Sequence, residues 1–131
     1  VIVAPIDDIW MRDFSLSNMA GPVRFRYTAA GQGGGSKGQT AADQVQKGLT
    51  NIMKTAGVVF SQTSLLNDGG NFVDDYAGRA VISRKFLRDN QATEDEGRAV
   101  IRREAGVELV DLIEADEQGG LEHADGVVAF I

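Results

Sequence analysis

Two amphipathic stretches set the frame into which this chain folds. Over residues 40–56, Val45, Leu49, Ile52, Met53 and Ala56 recur at the three- and four-residue spacing of one buried helix face, with Thr40 and Asp43 at its start and Gly57 at its stop. Over residues 93–105, Thr93 and Glu96 form a capping box, Ala99, Val100, Ile101 and Ala105 make the inner stripe, and Gly106 ends the run. Short β-type runs surround both. Residues 23–28 set Val23, Phe25 and Tyr27 against Arg24 and Arg26, and residues 71–75 and 79–83 flank Tyr76-Ala77-Gly78 as a hairpin. Residues 107–113 read as a further strand. Helices lodged between hairpins and short strands predict an α/β fold of mixed-sheet ββαβ units rather than a doubly wound parallel sheet. Each half carries one helix between strands, a hint of internal repetition.

The remaining segments read less strongly. We expect strands at 1–4 and 10–18 around a turn at 5–8, a break at Gly21 and Pro22, and a flexible loop at 31–39 holding five glycines. A strand is expected at 58–61, a connector of at most one helical turn at 84–90, an acidic loop at 114–120 and a last strand at 125–131. The sequence opens without methionine inside a β-type run and stops on another, so it reads as an internal piece, one partial domain over residues 1–131.

Composition narrows the function classes. A chain of 131 residues buries roughly two thirds of its unfolded surface and fits one compact domain. Hydrophobic residues at 43% and charged residues at 24% are ordinary for a globular protein, so disorder is not indicated. The net charge of −6, from 19 acidic against 13 basic residues, leaves no basic face for a phosphate backbone, and nucleic acid is not an expected partner. No apolar run approaches the ~20 residues needed to cross a bilayer, so a soluble, cytoplasmic protein without a membrane partner is expected. The chain contains no cysteine, which removes disulfides, thiolate metal sites and cysteine catalysis by these residues together.

Three short segments carry unusual residue choices: Ile9-Trp10-Met11-Arg12-Asp13, Asn67-Asp68-Gly69-Gly70-Asn71 and Glu122-His123-Ala124-Asp125-Gly126. Each alone is common. In this order and spacing, with a hairpin directly after the second, they resemble the agmatine deiminase and bacterial peptidyl-arginine deiminase family of the guanidine-modifying, pentein superfamily, over nearly the whole chain. The resemblance implies about two to three blades of a pentein fan of five ββαβ modules. In that family a cysteine attacks the guanidinium carbon, ammonia leaves, and water releases a ureido product.

By motif position the resemblance makes Asp13 and Asp125 the guanidinium-binding carboxylates, with Trp10 beside them in the substrate pocket. It makes His123 the general acid/base and puts Asp68 where many members have glutamate. The chemistry accounts for these residue types. A guanidinium is planar with five donors, so carboxylates on two sides fix its plane for perpendicular attack. The amine leaving group must be protonated, which suits a histidine, and His123 is the only one in the chain. Asp68 would orient His123 or a water, as the third member of a triad orients the base. The expected ligand is a guanidinium small molecule or an arginine side chain, with no cofactor and no metal.

Three departures bear on function. The family's cysteine lies beyond the last of these motifs, and serine or threonine is a poor substitute without an activating base. Phe14-Ser15-Leu16 replaces the small-Gly-Pro turn that commonly follows the first aspartate. Asp68 is one methylene shorter than glutamate. The expectation is therefore a partial deiminase-type domain that retains a guanidinium pocket and is inactive by itself. The alternative is a non-enzymatic module that assembles into a homo-oligomer through exposed strand edges.

Read without the resemblance, Asp68-Gly69-Gly70-Asn71 is a turn before a strand, Asp13 a strand-end charge paired with Arg12 or Arg24, Trp10 a core residue and His123 a hydrogen-bonded structural histidine. The glycine-rich stretch lacks the Gly-Lys-Ser/Thr of a phosphate loop, and the scattered acids at 7, 8, 74, 75 and 114–117 lack calcium-loop spacing.

Overall fold

A computed structural model describes residue 6 and residues 8–18, 20–115 and 121–131. The strand expected at 1–4, Asp7 and most of the acidic loop lie outside the described residues. Two ββαβ units follow one another. In the first, Ser17 bridges antiparallel to Val23, β1 (Val23–Arg26) leads through helix α2 (Gly35–Thr55), and β2 (Ser61–Leu66) returns parallel to β1. In the second, β3 (Val73–Asp74) pairs antiparallel with β4 (Arg79–Ser83). Helices α3 (Lys85–Asp89) and α4 (Glu94–Ala105) follow, and β5 (Leu109–Ile113) runs parallel to β4 in a continuous register from Arg79↔Leu109 to Ser83↔Ile113. The two sheets are β1-β2 and β3-β4-β5.

The alternation in β1 joins the units. Val23 and Phe25 are buried and enter a core shared with Phe72, Ile82, Phe86 and Ile101 of the second unit. Phe25 meets Phe72 at 6.0 Å and Phe86 edge-on at 6.4 Å between ring centroids, contacts worth about 0.5–1.5 kcal/mol each beyond their burial. The opposite face of β1 turns to α2, where Arg26 forks onto Asp43 at 2.9 and 2.6 Å and Arg24 donates to the Thr50 hydroxyl. A smaller core gathers Phe14, Tyr27, Ala42, Val45 and Leu49 under α2. The Thr93–Glu96 capping box opens α4, and Gly106, at φ +69°, closes it in the left-handed conformation that favours glycine.

Five local expectations are corrected. Residues 10–18 do not form a strand: they make a one-turn helix α1 (Met11–Phe14), and only Ser17 pairs. A four-residue helix is too short to display a 3.6-residue period, and it is set by packing on the turn at Gly69. The stretch 31–39 is not a flexible loop. A 3-10 turn (Ala30–Gln32) precedes α2, which begins at Gly35 with Gly38 N–H donating to the Gly34 carbonyl at 3.1 Å, and the turn packs close on Gly38, where a β-carbon would stand 2.9 Å from the Gln32 carbonyl oxygen.

The strand expected at 58–61 starts where it was expected to end. Its ladder opens with Ser61 N–H donating to the Pro22 carbonyl at 2.9 Å, and pairing with β1 overrides a polar Ser-Gln-Thr-Ser composition. The last segment holds a 3-10 turn (Ala124–Gly126), and no ladder forms over 127–131 among the described residues. Trp10 is not a core residue; it is 63% exposed.

Candidate functional site

The site forms where three turns meet. Helix α1 carries Arg12 and Asp13. The 3-10 turn Gly69–Asn71 follows Asp68, and the 3-10 turn Ala124–Gly126 follows His123 and includes Asp125. Asn71 ties two of these turns to the sheet. Its side-chain oxygen accepts from Ser83 N–H at 2.9 Å and Ala124 N–H at 3.2 Å, and its amide donates to Asn67 at 2.9 Å, all in buried surroundings. The position of the His123 segment is thus fixed by a side chain 53 residues earlier.

Two glycines let the turns approach. A β-carbon at Gly69 would lie 1.9 Å from the Arg12 carbonyl oxygen. A β-carbon at Gly70 would lie 2.7 Å from His123 Nδ1, 2.9 Å from Asp13 Oδ1 and 3.0 Å from Asp125 Oδ2. The missing side chain of Gly70 therefore marks the point on which the histidine and two carboxylates converge. The Gly70 amide donates to Asp13 Oδ1 at 3.0 Å.

Asp68 is buried and fully engaged: Thr28 donates to it from its backbone N–H and its hydroxyl, each at 2.8 Å, and His123 Nε2 lies 3.1 Å from Oδ2. Burial pushes the Asp68 carboxyl up, but hydrogen bonds from His123 and Thr28 outweigh it and hold the group below the usual carboxylate range. It is therefore the acceptor, and Nε2 carries the hydrogen. His123 Nδ1 faces Asp13 Oδ1 at 3.7 Å. Burial alone would lower the imidazole pKa; the Asp68 hydrogen bond and the charges of Asp13, Asp68 and Asp125 reverse that and raise it above its ordinary value. Asp13 is raised too, by burial first and by Asp68 and Asp125, against the pull of His123 and the Gly70 amide.

These groups open onto a cavity of about 500 Å³ lined by Ile9, Trp10, Met11, Leu121 and Tyr27 as well as by Arg12, Asp13, Asp68, His123 and Asp125. The Tyr27 phenol, pushed up to about 12 chiefly by burial, stays protonated and donates to Asp8 at 3.2 Å. At the cavity edge Arg12 Nε donates to Asp125 Oδ2 at 3.2 Å, and Arg12 Nη2 donates to the Phe72 carbonyl at 3.2 Å. Such a cavity offers two carboxylates to a planar cation and a proton-holding imidazole beside them. Among the described residues no group of three or more His, Asp or Glu side chains is arranged to hold a metal ion, and no helix is long and apolar enough to cross a membrane.

All five residues singled out in the sequence line this one cavity, with Asp13, Asp68, His123 and Asp125 at its polar end and Trp10 at its exposed apolar edge. Asp13 pairs with neither Arg12 nor Arg24 as its strand-end reading required. Sequence reasoning missed Thr28, Gly70, Asn71 and the Arg12 contact. The adjacent glycines and flanking asparagines of the second motif were a usable signal for Gly70 and Asn71; Thr28 ends an ordinary strand pattern and gave none.

The sequence matches the family described as Porphyromonas-type peptidyl-arginine deiminase over residues 1–131. Among solved structures, the fold is similar to a cysteine-to-serine variant of C. jejuni agmatine deiminase with substrate bound. That match has a TM-score of 0.68 at 16% identity and covers 99% of this chain and 41% of that one. Agmatine deiminase of Enterococcus faecalis is similar at a TM-score of 0.65 and 17% identity, over 89% of this chain and 35% of that one. No curated protein matches the sequence. At such identities the likeness is one of fold, and the two ββαβ units correspond to part of the pentein fan. The chain spans between 35% and 41% of the length of these solved structures.

Proposed function

The chain belongs to the Porphyromonas-type peptidyl-arginine deiminase family, and from that membership we propose that it forms the guanidinium-gripping part of a deiminase site without the residue that performs the covalent step. Asp13 and Asp125 accept the N–H groups of a small guanidinium compound or an arginine side chain from two directions, and Trp10 covers its apolar stem. His123, oriented by Asp68, holds the proton that a departing ammonia requires. The complete reaction exchanges water for ammonia at the guanidinium carbon and needs a thiolate nucleophile. With no cysteine in 131 residues, these residues alone bind and do not turn over.

The observation that carries this reading is the convergence of His123, Asp13 and Asp125 within 3.0 Å of the β-carbon that Gly70 lacks. Titration calorimetry with agmatine tests it. Saturable heat in the unaltered chain that disappears in Asp125→Ala is expected; equal absence of heat in both removes the pocket.

A second reading, self-assembly, is favoured by exposed apolar residues such as Val59 and Val127. Sedimentation velocity should then show dimers growing with concentration. A clean monomer throughout the micromolar range would count against it.

A further inference from the structure

We propose that Arg12 competes with the ligand for Asp125 and has a second seat at Asp74, so that a bound guanidinium displaces it from one carboxylate to the other. The proposal rests on the reading of Asp125 as a guanidinium acceptor and adds a mode of regulation to that site.

Arg12 and Asp125 both line the site cavity and both line a second cavity of about 730 Å³, so their pair is the partition between the two. The pair is a weak one. Its side chains are 59% and 38% exposed, and a single bond, Nε to Oδ2 at 3.2 Å, joins them while Nη2 is turned away to the Phe72 carbonyl. A ligand guanidinium that presents two parallel N–H groups makes a stronger contact with the same carboxylate. The chain therefore holds its own guanidinium where a substrate guanidinium would sit, in a form that is easily exchanged.

The second cavity supplies the other seat. Asp74 lines it, and the Oδ2 atom of Asp74 is buried without a hydrogen-bond partner. A carboxylate oxygen withdrawn from water and left unpaired is costly, and a cation brought to it relieves that cost. Asp74 follows two residues after Phe72, the carbonyl that already receives Arg12 Nη2. Asp74 borders the same cavity that Arg12 lines, so a cation in that cavity stands beside its carboxylate. Turned from Asp125 into that cavity, the Arg12 guanidinium takes Asp74 as its acceptor while staying beside the strand whose Phe72 carbonyl it already reaches.

Two measurements separate this proposal from the site reading on which it rests. Without ligand, water exchange of the Arg12 Nε–H is followed by ¹⁵N NMR in the unaltered chain, Asp125→Asn, Asp74→Asn and the double variant. Exchange in Asp125→Asn should stay at the rate of the unaltered chain, because Asp74 takes the guanidinium, and become fast only in the double variant. Fast exchange in Asp125→Asn alone overturns the second seat. With ligand, agmatine should bind Arg12→Met about threefold tighter than the unaltered chain, the size set by losing one exposed ion pair. Asp74→Asn should weaken binding in the unaltered background and leave Arg12→Met unaffected. Equal or weaker binding to Arg12→Met overturns competition and makes Arg12 a positioning residue for Asp125. No binding to any variant overturns competition together with the guanidinium site, and the exchange arm still decides the second seat.

Discussion

His123 Nε2 lies 3.1 Å from Asp68 Oδ2, the same oxygen that the Thr28 hydroxyl reaches at 2.8 Å. One buried carboxylate oxygen thus receives from two donors, and the imidazole is held by a group that is itself held from the first ββαβ unit. This bond is the largest of the influences that raise the imidazole pKa against its burial.

The two partners are displaced in opposite directions, which gives stability a defined pH window. His123 is raised, so its contribution is complete below about pH 6.5 and is lost as pH rises through its folded value. Asp68 is lowered, so its contribution is complete above about pH 3.9 and is lost as pH falls through its folded value. The stability difference between the unaltered chain and Asp68→Asn should be largest between about pH 4 and 6.5 and shrink on either side. Denaturant midpoints measured across pH check this, and a difference independent of pH would contradict it.

Asp13 behaves in the contrary sense. Its raised pKa means that the folded chain resists its ionisation, so stability is lost as pH rises from the ordinary carboxylate value through the folded one. Asp13→Asn keeps an acceptor for the Gly70 amide and removes the charge. A higher melting temperature at pH 7 is expected, together with lost agmatine binding. In the unaltered chain, binding should weaken on acidification at a higher pH than an ordinary carboxylate would dictate. A lower melting temperature for Asp13→Asn would show that the ion contact with His123 dominates instead.

Gly69 and Gly70 should fail differently. Gly69→Ala drives a β-carbon into the Arg12 backbone carbonyl and should cost toward the upper end of the about 1–3 kcal/mol typical of overpacking. Gly70→Ala meets side-chain atoms that can move, so its loss of stability should be smaller while agmatine binding falls sharply. Thermal melts and calorimetry on the pair distinguish the two, and retention of binding by Gly70→Ala would argue against convergence on that point.

Asn71→Ala removes the acceptor of two buried backbone N–H groups, from Ser83 and Ala124, at about 1–3 kcal/mol for each donor left unpaired. Hydrogen exchange should quicken at Ala124, with the His123 segment loosened while β4 and β5 stay paired. Protection at Ala124 unchanged from the native chain would assign the anchoring to other contacts.

The fold was legible where a local signal and the tertiary arrangement agree. The Thr93–Glu96 box, the Gly106 stop and the β3–β4 hairpin stand where the residues indicated them. Helix α1 was misread because its conformation is decided by Gly69 approaching the Arg12 carbonyl, a contact between residues 57 positions apart that no short pattern encodes. Likewise the polar β2 is a strand because β1 pairs with it. Asp13, Asp68, His123 and Asp125 were singled out by the resemblance of their three segments to the deiminase motifs, and folding brings all four to one cavity. The contacts of Thr28 and Arg12 were not legible, since an ordinary threonine or arginine acquires its role only from the partner that folding brings to it.

The property proposed for this cavity is a grip on guanidinium without turnover. Agmatine titrated into ¹⁵N-labelled chain at pH 7, with ammonia assayed in the same samples, tests both halves together. A saturable shift of the Gly70 amide, which donates to Asp13, and of the His123 ring nitrogens is expected, with no ammonia released. Ammonia accumulating with time, or an unmoved Gly70 resonance at saturating agmatine, would contradict it.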